Sequence, residues 1–292
     1  MAISSPKGIP GSALQPRLVL GILGGLGPYA HILLEQYLLQ AASRYAGVAR
    51  EQDFPSWILS SLPQTPDRTA ALGPEGPAAL PLLLESLRRV EKASGEPGKN
   101  ARGADLVLIA CNTAHAFLGE LRAATSLPIL DMIDGCSAEV SERVPAGTRV
   151  GLLATTGTLR SGLYQSALRR HGFEPFSPLD TRDGERRQQE WIMDSIYGRP
   201  GGWEGLKTRG ALGASTRDDG PREQLRQACR TLRDELRCEV LIAACTEIPL
   251  ALPEGRCQGL SLINPLKILA RNAIRAAYGL EAQTPPLPDE GS

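Results

Sequence analysis

Asp105-Leu106-Val107-Leu108-Ile109-Ala110-Cys111-Asn112-Thr113 and Glu239-Val240-Leu241-Ile242-Ala243-Ala244-Cys245-Thr246-Glu247 are two versions of one phrase. Each opens on a carboxylate, runs through apolar residues without period-2 alternation, and ends in a cysteine followed by polar residues. A short unbroken run of Val, Ile, Leu and Ala reads as a strand covered on both faces. A second pair of phrases precedes them. Gly21-Ile22-Leu23-Gly24-Gly25 closes a strand and opens a turn, and Gly151-Leu152-Leu153-Ala154-Thr155-Thr156-Gly157 does the same 130 residues later. Two matches in the same order at similar separation point to an internal duplication.

Working outward, strands are expected at Leu18–Leu23, Trp57–Leu62, Leu106–Ala110, Pro128–Met132, Arg149–Ala154, Val240–Ala244 and Leu260–Ile263. Helical patterns fill Tyr29–Tyr45, Glu75–Ala93, Ala114–Ala124, Thr158–His171, Glu185–Tyr197 and Glu223–Arg237, with a final helix around Asn264–Leu280. This alternation predicts an α/β protein with parallel sheets and right-handed crossovers. The expected architecture is two pseudo-symmetric domains, each a parallel-sheet α/β sandwich, with the active site in the cleft between them. Residues 18–134 plus 264–282 would form the first domain and 135–263 the second. Residues 1–17 and 283–292 read as a disordered extension and tail, Ala93–Gly103 as an exposed loop, and Gly198–Pro221 as a Gly-rich flexible excursion or lid.

The composition narrows the function classes. The chain has 292 residues, or about two domains at roughly 150 residues each. Lys+Arg and Asp+Glu number 32 each, so no basic field attracts phosphate backbones, and nucleic acid is not an expected partner. No apolar run approaches the ~18 residues of a membrane span, and the first 17 residues carry no apolar stretch long enough for a secretion signal. A soluble, cytoplasmic protein is expected. The six cysteines form no Cys-x-x-Cys pair and no close-spaced framework, so they read as reduced thiols. His31, His115 and His171 are scattered, and no metal site is expected.

Ligands of open parallel sheets bind beyond the carboxyl ends of the strands. Cys111 and Cys245 both fall there. Related by a pseudo-twofold axis, two such sulfurs can face each other across a cleft and move a proton from one face of a carbon to the other. Each thiol would alternate between thiolate base and neutral acid, helped by the donors of a strand-to-helix turn. The plain alternative is that both cysteines fill the core. Asn112, Thr113 and Thr246 have a plain alternative too, capping the helices that follow. The glycine spacing at Gly21–Gly27 is not Gly-x-Gly-x-x-Gly, so a dinucleotide is discounted, and a tight turn needing positive φ remains the other reading.

Gly21-Ile-Leu-Gly-Gly-Leu-Gly-Pro28, Ala110-Cys111-Asn112-Thr113-Ala114-His115 and Ala244-Cys245-Thr246-Glu247-Ile248-Pro249-Leu250 resemble the three signature stretches of the aspartate/glutamate racemase superfamily. The resemblance is strongest to its aspartate-racemase branch and runs from about Leu18 to Leu280. It implies a homodimeric racemase that needs no cofactor, pyridoxal phosphate included, and acts on a small dicarboxylate amino acid, aspartate or glutamate. Cys111 and Cys245 would be the acid/base thiols. Asn112, Thr113 and Thr246 would hold the α-carboxylate and amino group, and Gly24, Gly25 and Gly27 would bring backbone close to the ligand. Gln64 and Arg68 lie where a side-chain carboxylate would be anchored, and Arg186 or Arg187 falls near the basic residue of the second domain. Glu247 would orient Cys245 or the substrate amine, or simply begin a helix, and His115 reads as structural. The chain departs from the pattern at Leu26, where many relatives have Met, at Asn264, where Asp is common, and in the additions at 93–103 and 198–221. Rival readings are a hydantoin racemase, a maleate isomerase, an arylmalonate decarboxylase, which uses one cysteine, or a non-catalytic binding relative.

Overall fold

A computed structural model describes residues 14–92, 103–213, 220–253 and 255–280. Most of the expected N-terminal extension, nearly all of the 93–103 loop, six residues of the 198–221 excursion and the C-terminal tail lie outside the described residues.

Among the described residues, eight strands form two sheets. In the first, β1 (Leu20–Gly24) pairs in parallel with β2 (Trp57–Ser61) on one side and β3 (Leu106–Ile109) on the other. In the second, β4 (Arg149–Ala154) is flanked in parallel by β5 (Glu174–Phe176) and β6 (Val240–Ala244). β6 continues to β8 (Leu260–Ile263), which pairs antiparallel with the short β7 (Arg256–Cys257). The orders β2-β1-β3 and β5-β4-β6 match strand for strand. Beyond β3, a parallel bridge between Val107 and Ile129 stands where β8 stands beyond β6. The duplication read from the sequence is therefore visible as repeated topology, and the fold is a two-domain α/β fold with parallel sheets.

The helices cover the sheets with apolar faces of helical period. Pro28–Ala41 starts on a proline, which needs no N–H in the first turn, and buries Ala30, His31, Leu34, Leu38 and Ala41. Leu80–Glu91 buries Leu83, Leu87 and Val90, and Pro221–Asp234 buries Leu225, Ala228, Cys229 and Leu232. The C-terminal helix, Pro265–Tyr278, places Leu266, Leu269, Ala273 and Ile274 in the core of the first sheet, while its Ile268 joins the core of the second. Among the described residues no helix is long and apolar enough to cross a membrane.

Three local expectations need correction. Pro128–Met132 is not a full strand: it makes one bridge at Ile129, and the Asp131 carboxylate then accepts the N–H groups of Ile133 and Asp134 at 2.9 and 3.1 Å. That cap starts a helix, Met132–Arg143, which the apolar pattern did not reveal. β5 and β7 are too short to show periodicity. The Glu185–Tyr197 helix is interrupted by a π-helical segment, Gln188–Met193.

Candidate functional site

Cys111 lies two residues past the carboxyl end of β3 and Cys245 one residue past that of β6, and each is 4% exposed. The chain turns at once into a 3-10 helix after Cys111 (Thr113–Phe117) and a short helix after Cys245 (Ile248–Ala251). All six cysteines are free and buried. Among the described residues, no group of three or more His, Cys, Asp or Glu side chains gathers as a metal site would require.

Around Cys245 the groups are acidic. Its thiol donates to Glu247 Oε2 at 3.1 Å, and the Thr246 hydroxyl donates to the same oxygen at 3.1 Å. Burial pushes the Cys245 pKa well above the ordinary thiol range, and the Glu247 charge adds to that rise while Lys207 opposes it. Lys207 Nζ lies 3.4 Å from Glu247 Oε1, and 5.2 Å from the centroid of the Tyr197 ring. Burial works against the ammonium charge of Lys207. The negative charge of Glu247 and the ionisable groups of Cys245, Tyr197 and Cys111 outweigh it and hold the pKa above the usual lysine value. Lys207 thus feels both cysteines.

Around Cys111 the groups are cationic. Arg68 is buried, with its guanidinium donating to the carbonyls of Thr65, Pro66 and Leu26, while its Nε has no partner. Burial opposes the Arg68 charge, but Cys111 and then Asp67 raise its pKa. Asn112 is also buried. Its carbonyl oxygen accepts the Tyr164 hydroxyl at 2.6 Å, leaving Asn112 Nδ2 as a buried donor with no partner among the described residues. A buried donor without a partner is costly unless something else accepts from it.

The two halves meet tightly here. A Cβ on Gly27, whose φ is +106°, would overlap Glu247 Oε1, and one on Gly157 would lie 2.7 Å from Thr69 Cα. The Tyr197 hydroxyl donates to Asp67 Oδ2 at 2.8 Å, and Thr113, Thr155 and Thr158 hydroxyls lie within 2.8–3.1 Å of each other.

The residues singled out from sequence therefore divide. Cys245, Thr246 and Glu247 share one hydrogen-bonded cluster and Arg68 acts electrostatically on Cys111, while Thr246 and Thr113 use their hydroxyls within the protein. Gly25 has φ +78° and gives its N–H to His31 Nδ1 at 3.2 Å, so it offers no free donor. Gln64 is exposed on the loop that carries Arg68. Arg186 and Arg187 are not brought to the thiols. Arg186 is exposed and pairs with Asp183 and Glu190 at 3.3 and 2.7 Å, and Arg187 pairs with Glu235 at 2.6 Å and stacks over Trp191. Neighbouring carboxylates on the same surface explain both. His115 is structural: Met132 N–H donates to its Nε2 at 3.2 Å and its Nδ1 lies 2.8 Å from the Cys111 carbonyl, a neutral ring that burial keeps from charging. Asn264 caps the C-terminal helix through Leu266 N–H and donates to the Tyr37 hydroxyl at 3.2 Å.

The profile of the family described as Asp/Glu/hydantoin racemase matches residues 23–273. The chain belongs to that family. This racemase-family chain is 26% identical over 159 residues to the broad-specificity amino-acid racemase RacX of Bacillus subtilis, covering 53% of the chain and 63% of RacX. It is 38% identical over 77 residues to the glutamate racemase of Aquifex aeolicus, covering 26% of the chain and 30% of that relative. The chain thus spans less than two thirds of either curated relative. Its fold resembles that of the Picrophilus torridus aspartate racemase with a TM-score of 0.69 at 23% identity, covering 89% of this chain and 94% of the other.

Within this family member, the sequence reading missed Lys207, Tyr197, Tyr164 and Asp67. Tyr197 and Tyr164 sit in helices where an aromatic reads as core. Lys207 sits in a Gly-rich stretch without periodicity, and only its scarcity as a residue type in this chain could have drawn attention to it.

Proposed function

We propose that this protein is an amino-acid racemase that interconverts the L and D forms of aspartate or glutamate without a cofactor, using Cys111 and Cys245 as paired acid and base. The observation that carries the proposal is the placement of two thiols just past the ends of corresponding strands, β3 and β6. One thiolate removes the α-proton, and the opposite thiol delivers its own proton to the other face of the carbon. The substrate leaves inverted, and the proton removed stays on the first sulfur. No electron acceptor is required. Asn112 Nδ2 is the free buried donor suited to the carboxylate oxygen on which enolate-like charge develops. Arg68 and Lys207 are two cations for two carboxylates, which favours a dicarboxylate over an uncharged hydantoin ring. Glu247 holds Cys245 in the thiol form and balances Lys207.

The domain limits expected from sequence, a homodimer and a cytoplasmic location belong to the same proposal. The test is incubation with L-aspartate or L-glutamate in deuterated water, reading α-deuterium and the D-enantiomer. Wild type should show both. Cys111→Ala and Cys245→Ala should each abolish racemisation, with a loss at or beyond the roughly 10²–10⁴-fold typical of a missing acid/base group. Full activity in either variant would refute the two-thiol reading.

A further inference from the structure

A cavity of about 180 Å³ opens between residues of the two halves. None of the residues gathered around the two thiols lines it. Its walls come from the Pro28–Ala41 helix and the Ala42–Ala46 segment after it, the chain around β7 and β8, and the Met132–Arg143 and C-terminal helices. Arg44, Arg143, Arg256, Lys267 and Arg271 all line it, and no described Asp or Glu does. Arg143 and Arg271 share a single carboxylate, Glu139, with both contacts at 2.5 Å. Arg44 stands over the Tyr45 ring at 5.6 Å, and Arg256 donates to the Gly259 carbonyl at 3.0 Å. Neither arginine has a carboxylate partner among the described residues.

Glu139 offsets one of the charges of Arg143 and Arg271, which still leaves the cavity wall with an excess of positive charge. Guanidinium groups do suit oxyanions, which accept two parallel N–H bonds from each. The space admits only a few heavy atoms, and Tyr37 and Tyr45 give it partly aromatic walls.

We propose that this cavity is a binding site for a compact multivalent oxyanion bearing phosphoryl or clustered carboxylate groups. The inference does not depend on the racemase reading. It is tested by calorimetric titration of the full chain at constant ionic strength with inorganic phosphate, pyrophosphate and citrate in turn. At least one should bind with Kd below about 1 mM, and the strongest of the three tells phosphoryl from carboxylate chemistry. Arg44→Gln/Arg256→Gln should weaken that binding tenfold or more. Both side chains are exposed and lack carboxylate partners, so the fold should tolerate the change. Lys207→Met, which disables the thiol site, should leave the binding unchanged. Absence of binding by all three anions, binding undiminished in the arginine variant, or a loss that follows Lys207→Met would each overturn the proposal.

Discussion

Gly27→Ala isolates the contact that closes the candidate site. Gly27 has φ +106°, a backbone conformation that an L side chain adopts only at a cost of about 1–3 kcal/mol. At roughly 2 °C per kcal/mol for a chain of this size, the melting temperature should fall by about 2–6 °C. The second effect is local. The new Cβ would overlap Glu247 Oε1, so Glu247 or the Gly27 loop must shift by on the order of 1 Å to restore an ordinary contact. Glu247 holds the Cys245 thiol at 3.1 Å and Lys207 at 3.4 Å, so the shift is passed to one of the proposed reacting groups and to a proposed anchor. A misplacement of ~1 Å costs about 10²-fold in rate, so kcat should fall a hundredfold while the protein stays folded. Gly147→Ala is the control. Gly147 also has a positive φ, +87°, but a Cβ there meets nothing within 4 Å. It should lose comparable stability and keep its activity. Deuterium exchange into the substrate and a thermal melt read both quantities. Near-wild-type turnover in Gly27→Ala, or an equal loss of turnover in Gly147→Ala, would refute the reasoning.

Tyr164→Phe removes the 2.6 Å bond to Asn112 Oδ1 and leaves a buried acceptor bare, which should cost about 1–3 kcal/mol and raise KM as the amide loses its orientation; denaturation with steady-state kinetics checks it, and an unchanged KM would remove Asn112 from the site. Lys207→Met leaves Glu247 buried without its cation, and breaking such a pair should destabilise the fold by about 3–5 kcal/mol and raise KM about 10–100-fold, read by the same two methods. Stability should also fall in alkali. Burial raises the pKa values of Cys136 and Cys245, and pushes that of Cys238 up to about 12. An unfolded thiol ionises near 8.5, so the folded form holds more protons above that pH and loses about 1.4 kcal/mol per pH unit for each such thiol, up to its folded pKa. Urea unfolding at pH 7.5 and 9.5 measures the slope, and Cys238→Ala should reduce it.

The fold was legible because the strands that build it are long, apolar and repeated. β4, β6 and β8 begin and end where the sequence placed them, since an apolar run stops where the chain leaves the sheet. The cysteines were legible for the same reason, as the first polar positions past two such runs. The Met132–Arg143 helix was not, because its buried residues, Met132, Ile133, Cys136, Ser137, Glu139 and Val140, include polar side chains that blur the apolar stripe. Its Glu139 is buried because Arg143 and Arg271 both pair with it, a long-range arrangement no local pattern encodes. Lys207 was invisible on similar grounds. Its role depends on Glu247 and Tyr197, which approach it only in the folded protein. Arg186 pairs with carboxylates three and four residues away on its own helical surface and Arg187 with the distant Glu235, pairings that proximity to a family position does not reveal.

Duplication gives the two thiols equivalent backbone positions but unlike surroundings. Cys245 donates to a carboxylate and is held in its acid form, whereas Cys111 lies beside the guanidinium of Arg68. Under the two-thiol proposal racemisation needs one acid and one base at every moment, and the two sulfurs would meet that need from unlike surroundings. The inequality cannot favour either product. Enantiomers have equal free energies in water, so the equilibrium constant is one and kcat/KM must be identical in the two directions. What the unlike settings would control is how kcat and KM each compare between directions, and any difference in one must be matched by the same factor in the other. Lys207, which interacts with both thiols and pairs with Glu247, is the group through which the two settings are electrostatically linked.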